Sequence, residues 1–298
     1  MEFKTDFIKS LVEESDSVDT VGRELIQLWT DSARNNNLED HYYKGEESVK
    51  CFEDFLVNSY PEFYDVLAKT CINKKSVFDL YPSAKIIVMD GMSLRESVLL
   101  FNELIHKSFN VRQEFNFSSV PSDTENFREK IGYSKRNFST INSENDINFL
   151  TNDAQFFWSY FPDILLDKIQ VGHTKISSLA QMYETVEKIV FSILSKIESD
   201  TILITSDHGY IMTESGLNFP LDNKAKDECQ RAFGSKRYVN MGNLYLDSLV
   251  SKGYIKDFNG YYVAKSRYLW PVPGKYSIYI HGGLSLMECF TPVLIIER

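Results

Sequence analysis

The sequence predicts an α/β fold: a mostly parallel sheet flanked by helices, with a helical N-terminal extension. Three observations predict it. Short continuous apolar runs, each of strand length, recur from about residue 83 onward. Segments with helical apolar spacing separate them, so the strands need crossover connections and run parallel. Three of the runs end at an aspartate, and an open parallel sheet binds its ligands beyond the carboxyl ends of its strands.

Residues 1–82 read as helical. "DTVGRELIQLWTDSARN" spaces Val21, Leu25, Ile26, Leu28 and Trp29 close to a helical period, and "SVKCFEDFLVNSYPEFYDVLAKTC" continues with Phe52, Phe55, Leu56 and Tyr60. Such a segment packs on a domain or a protein partner. From Tyr81 the pattern changes. "AKIIVMD" reads as a strand buried on both faces, ending at Asp90. "SLRESVLLFNELIHKS" follows as a helix and "NVRQEFNF" as a second strand. "AQFFWSYFPD" reads as a third strand ending at Asp163, and "SSLAQMYETVEKIVFSILSKIES" as a long amphipathic helix. "TILITSD" is a fourth strand ending at Asp207, and "TPVLIIER" closes the chain as a fifth. The division expected is a helical extension over 1–82 and one domain over 83–298. Within that domain, 213–280 forms in part a small cap, with an Asn259-Gly260 hairpin signal.

The chain has 298 residues, 43% of them hydrophobic, enough for a substantial core. The formal net charge of -10 excludes a surface that coats nucleic acid, which needs a cationic field. A phosphate-bearing substrate then needs local positive charge. The four cysteines form no CxxC pair, and no run approaches the ~18 apolar residues of a membrane span. A reducing, cytoplasmic setting without a membrane is the expectation. Nucleotide cradles of the GxxxxGK[ST] and GxGxxG kinds are absent, as are HExxH and GxSxG.

Chemistry collects at the strand ends. Asp90, Asp163 and Asp207 each close a run, and His208-Gly209 follows the last. Carboxylate and imidazole together are ligands for zinc or a similar divalent ion. Of the five histidines, His41 and His106 sit in polar helical surroundings and read as surface. His281, before Gly282-Gly283 and the last strand, is placed to reach back into the site. In "VPSDT" Ser122 and Thr124 are candidate nucleophiles, and a helix starting there offers free amides to a phosphate oxygen.

These motifs, Asp90, "VPSDT", "TSDHG" and "HGGLSLMECFTPVLII", resemble the alkaline phosphatase superfamily, and the last of them resembles its PglZ domain. The resemblance covers roughly residues 83–298 and implies an alkaline-phosphatase-like fold and a metal-dependent phosphodiesterase or phosphatase. It implies two divalent ions, zinc by preference, that clamp the reacting phosphoryl group. Asp90, Thr124, Asp207 and His208 fall on one ion, with Thr124 as nucleophile. The other takes a strand-end aspartate, a histidine about a turn later, and His281. Here the sequence departs from the pattern, because Asp167 stands four residues after Asp163. Either Asp163 and Asp167 both ligate, giving an oxygen-rich site that suits manganese, or Asp167 pairs with His173. Arg237 in "KRYV" resembles a PglZ feature and is the expected substrate clamp. The other basic residues nearby, Lys236 among them, read as solvated surface.

The expected function is hydrolysis of phosphodiesters of nucleotide or oligonucleotide type, in bacterial phage defence or signalling. The alternative is a weakly active or non-catalytic assembly subunit of such a system, binding protein partners through residues 1–82.

Overall fold

A computed structural model describes residues 7, 9–11, 16–172, 177–213, 217–274 and 277–297. After helical residues 7 and 9–11 come three longer helices: α1 (Ser17–Asn35), α2 (Leu38–Ser59) and α3 (Phe63–Asn73). Asp16 and Asn37 cap the first two, their side-chain oxygens accepting from the backbone N–H of Asp19 and Asp40. A single turn, α4 (Val77–Leu80), leads into the alternating part.

There β1 (Lys85–Met89), α5 (Leu94–His106), β2 (Asn110–Phe117) and α6 (Thr124–Lys130) follow in order. Then come β3 (Phe138–Ile141), β4 (Phe156–Ser159), α7 (Asp163–Gln170), α8 (Leu179–Leu194) and β5 (Thr201–Thr205). Two short strands, β6 (Ile211–Met212) and β7 (Phe219–Pro220), open the region that interrupts the alternation. It continues through α9 (Asn223–Phe233), β8 (Tyr238–Asn240), α10 (Asp247–Ser251), β9 (Ile255–Phe258) and β10 (Tyr261–Ala264). After β11 (Tyr268–Leu269) and β12 (Tyr279–Ile280), a one-turn helix α11 (Leu286–Cys289) runs into the last strand, β13 (Phe290–Glu297).

The main sheet has six strands in the order β2-β13-β5-β1-β4-β3. β5, β1, β4 and β3 run parallel, and β13 alone in this sheet runs against its neighbours β5 and β2. The buried residues of β1 alternate between faces. Ile87 and Met89 join α5 and α8 residues such as Leu100, Met182 and Val190 on one side. Ile86 and Val88 join Phe78, Phe127 and Trp158 on the other. The sequence-derived third strand is shorter than expected: it ends at Ser159, and Asp163 opens α7 instead of closing the strand. Pro162 explains the stop, since it has no N–H for a ladder and suits the start of a helix. β3 follows no strong apolar run. It is an edge strand with one fully buried residue, Ile141, so its sequence carries little hydrophobic signal.

The N-terminal helices share a core with the sheet. Trp29, Phe52, Phe63 and Leu67 cluster with Phe117, Leu286 and Phe290. Each fully buried aromatic or leucine contributes about 1.5–3 kcal/mol, so this contact is held firmly. A polar tie is added. Glu46 and Glu53, both fully buried on α2, pair with Arg95 of α5 and with Arg267. His41, expected at the surface, is 1% exposed: its ring meets Trp29 and Tyr42 edge-on, and Nε2 lies 3.2 Å from the Arg95 carbonyl. The interrupting region carries a small antiparallel sheet, β8-β10-β9, over its own cluster of Cys229, Phe233, Leu249, Tyr262 and Trp270.

Candidate active site

The carboxyl ends of β1 and β5 lie side by side, because the two strands pair directly. That adjacency brings Asp90 and Asp207 together. Asp207 ties the loops after β1 and β5 together: its Oδ1 accepts from the N–H groups of Gly91 and His208, each at 3.0 Å. Gly209 lets the turn pass under α11, since a Cβ there would stand 2.1 Å from the Met287 carbonyl oxygen. The His208 Nδ1 lies 3.0 Å from the Gly209 carbonyl and donates to it, which leaves the Nε2 lone pair facing the carboxylates. That Nε2 is 3.4 Å from Asp207 Oδ2 and 3.9 Å from Asp90 Oδ1. The other oxygen of Asp90 accepts from Trp158 Nε1 at 3.0 Å.

Thr124, the first residue of α6, sits on this group. Its hydroxyl donates to Asp207 Oδ2 at 2.7 Å, with His208 Nε2 at 3.2 Å and Asp90 Oδ1 at 3.4 Å. Ser122, the other candidate nucleophile, is fully buried and donates to the Gly283 carbonyl at 2.7 Å. Of the two hydroxyls, only that of Thr124 faces the cleft.

The electrostatics are those of a site short of positive charge. Burial, and then the neighbouring Asp207 carboxylate, push the Asp90 carboxyl up to about 8. Burial alone would lower the pKa of His208, but Asp207, Asp90 and Asp163 outweigh it and the net shift is upward. Protons are thus drawn to this group where a cation would serve better. Asp90, Asp207 and His208 each offer one ligand atom, all within 4.8 Å of one another. Two carboxylate oxygens and one imidazole nitrogen are a donor set that fits zinc.

Asp163, Asp167 and His281 line the same cleft, of about 440 Å³, with Thr124. The Asp163 N–H donates to the Asp90 carbonyl at 3.0 Å, so α7 starts against the end of β1. Burial raises the Asp163 pKa. Burial and the Asp163 charge raise that of Asp167, which lies one helical turn on. The His281 ring stacks on His208, and burial together with the His208 charge pushes it down to about 4. These three residues do not converge as Asp90, Asp207 and His208 do; among the described residues that trio alone forms a tight ligand group. His173 lies outside the described residues.

Arg237 is corrected by the structure. It is 1% exposed, and its guanidinium is spent on Glu288 and on the carbonyls of Ser266 and Tyr268. A substrate clamp needs free N–H groups in the cleft, whereas these point into the protein. Glu288 in turn accepts from the backbone N–H groups of Gly283 and Ser285. A Cβ at Gly283 would stand 2.5 Å from the Arg237 guanidinium. Much of "HGGLSLMEC" is therefore a seat for the Arg237–Glu288 pair, with His281 at its rim. Sequence reasoning also missed Trp158 and the Gly91 amide. Nothing in "FFWS" marks the tryptophan as a partner of Asp90, which only strand pairing reveals.

Residues 162–296 match the family model described as the BREX system PglZ alkaline phosphatase-like domain. This segment is similar to a PglZ domain. It contains Asp163, Asp167, Asp207, His208, Arg237 and His281, while Asp90 and Thr124 precede it. No curated protein sequence matches the chain. Among solved structures, murine ectonucleotide pyrophosphatase/phosphodiesterase 5 is similar at 12% identity over 52% of this chain and 52% of that one, with a TM-score of 0.29. The chain thus spans about half the length of that relative. Phosphonoacetate hydrolase from Sinorhizobium meliloti 1021, in complex with phosphonoformate, is similar at 12% identity over 74% of this chain and 68% of that one, with a TM-score of 0.28. Among the described residues, no helix is long and apolar enough to cross a membrane.

Proposed function

We propose that the chain is a metal-dependent hydrolase of phosphodiesters of nucleotide or oligonucleotide type, with Thr124 as nucleophile. One observation carries this reading: the Thr124 hydroxyl lies 2.7 Å from Asp207 and 3.2 Å from His208, at the centre of a buried ligand set. Asp90, Asp207 and His208 would hold one ion; Asp163, Asp167 and His281 would hold a second. Bound divalent ions supply charge that favours the threonine alkoxide and stabilises the transferring phosphoryl group. Zinc suits the first set; manganese suits the oxygen-rich second set.

Thr124 Oγ1 attacks phosphorus, forming a P–O bond as its proton is released to solvent at the cleft. The bond to the leaving oxygen breaks, and that oxygen departs with the electron pair and takes up a proton. Water then cleaves the phosphothreonine and restores the hydroxyl. The low exposure of Asp90, Asp207 and His208 limits competition from bulk water. The PglZ family description supports a setting in bacterial phage defence, and a cytoplasmic location is the matching proposal. The second reading is an assembly subunit with little turnover, favoured by the failure of Asp163, Asp167 and His281 to converge.

The test is cleavage of bis(4-nitrophenyl) phosphate by metal-loaded protein. Thr124→Ala should lose activity by several orders of magnitude, on the order of 5 kcal/mol of barrier, with folding and metal content kept. Ser122→Ala should retain turnover. Turnover in Thr124→Ala equal to wild type would remove Thr124 as nucleophile, and an inactive, metal-loaded wild type would favour the assembly reading.

A further inference from the structure

The basic pair Lys236-Arg237 divides at the start of β8. Just before this strand Arg237 turns inward to Glu288, while Lys236 is left outside with Tyr238. Lys236 is exposed, and its ammonium lies 5.6 Å from the Tyr238 ring centroid. Both residues line the cleft that holds Thr124 and His281, and Lys236 is the one lysine or arginine among the described residues that does so.

Tyr238 ties this wall to the reacting centre at two points. Its ring rests on Gly282, where a Cβ would stand only 2.9 Å from Cδ1, and Gly282 follows His281 directly. Its hydroxyl lies beside the carboxylate of Asp123, the residue before Thr124. Lys236 therefore stands beside Tyr238 in the cleft that Thr124 also lines. It makes no ion pair with a carboxylate among the described residues, although Asp123, Glu125, Asp163 and Asp167 line the same cleft. A cation kept unpaired in an acidic cleft is available to an anion that enters it. The volume of about 440 Å³ is in the range that holds a ligand far larger than one phosphoryl group.

We propose that Lys236 is a specificity-determining residue that pairs with a second phosphate of the substrate, beyond the reacting phosphoryl group. The preferred substrates then carry a further phosphate beside the reacting one, as nucleoside polyphosphates do. This rests on the phosphoester hydrolase reading above. The reacting phosphoryl group is served by the proposed ions, whereas a lysine at the rim adds attraction only for charge lying further out. An ammonium is also suited to phosphate as a compact point charge.

The experiment compares ATP with bis(4-nitrophenyl) phosphate, which has no second phosphate, as substrates of the metal-loaded full chain. Lys236→Met should lower kcat/KM for ATP about tenfold more than for the diester, through KM, and Lys236→Arg should recover most of the loss. Equal effects on the two substrates, or none, would overturn the proposal. If wild type cleaves neither substrate, the hydrolase reading fails on its own. Lys236 is then judged by calorimetric binding of inorganic pyrophosphate to the metal-loaded protein: weaker binding in Lys236→Met supports it, and equal binding overturns it.

Discussion

The imidazoles of His208 and His281 lie face to face, 3.9 Å between ring centroids and 13° between planes. One follows β5, and the other precedes α11 and β13, so the stack joins distant parts of the chain. The His281 Nδ1 lies 3.4 Å from the Ser122 carbonyl, which holds the ring beside the Thr124 segment. The two rings are expected to serve different ions. His208→Ala should abolish binding at Asp90 and Asp207, whereas His281→Ala should lower the metal content by about one ion and leave the other bound. Elemental analysis of purified variants, after soaking in zinc or manganese, measures this. Full metal content in His208→Ala would contradict the assignment.

Arg237 and Glu288 form a buried pair, and removing one partner leaves the other charged in a dry interior. Arg237→Met should therefore destabilise the fold by about 3–5 kcal/mol, visible as a lowered denaturation midpoint. In protein that remains folded, KM should change little. A large KM increase with unchanged stability would restore the clamp role that the sequence suggested.

His41 supplies a pH dependence away from the cleft. Burial, and secondarily the charge of Arg95, lower its pKa from 6.5 to about 4, against the pull of the Arg95 carbonyl. Above pH 6.5 the ring is neutral in both folded and unfolded chains, and the fold has its full stability with respect to this group. As pH falls from 6.5 towards 4 the unfolded chain takes up a proton that the folded chain refuses, so stability is lost. The loss amounts to about 3 kcal/mol at most. Urea unfolding of wild type and His41→Gln between these limits should show a shallower pH slope in the variant; identical slopes would refute it.

How far the sequence reached is clearest at β1 and β5. "KIIVM" and "TILIT" are runs that only a doubly covered strand explains, so their position and the acids that follow them were legible. The strand ends pointed to Asp90, Asp207 and His208 as metal ligands, motif resemblance singled out Thr124 as nucleophile, and the fold brings these residues together. The end of β4 was less legible, because aromatic residues continue past the strand to Pro162 and mask the turn.

The sequence by itself determined the alternation of strands and helices, since apolar periodicity is local and the central strands β1 and β5 hide both faces. It also marked which residues carry acid, imidazole and hydroxyl groups at chain turns. Only the tertiary structure decided which of those groups meet, because contacts between Asp90, Thr124 and Asp207 depend on strand order and not on chain separation. The same holds for the two basic neighbours. Lys236 and Arg237 are equivalent as letters, and only the folded chain turns one inward to Glu288 and leaves the other at the cleft.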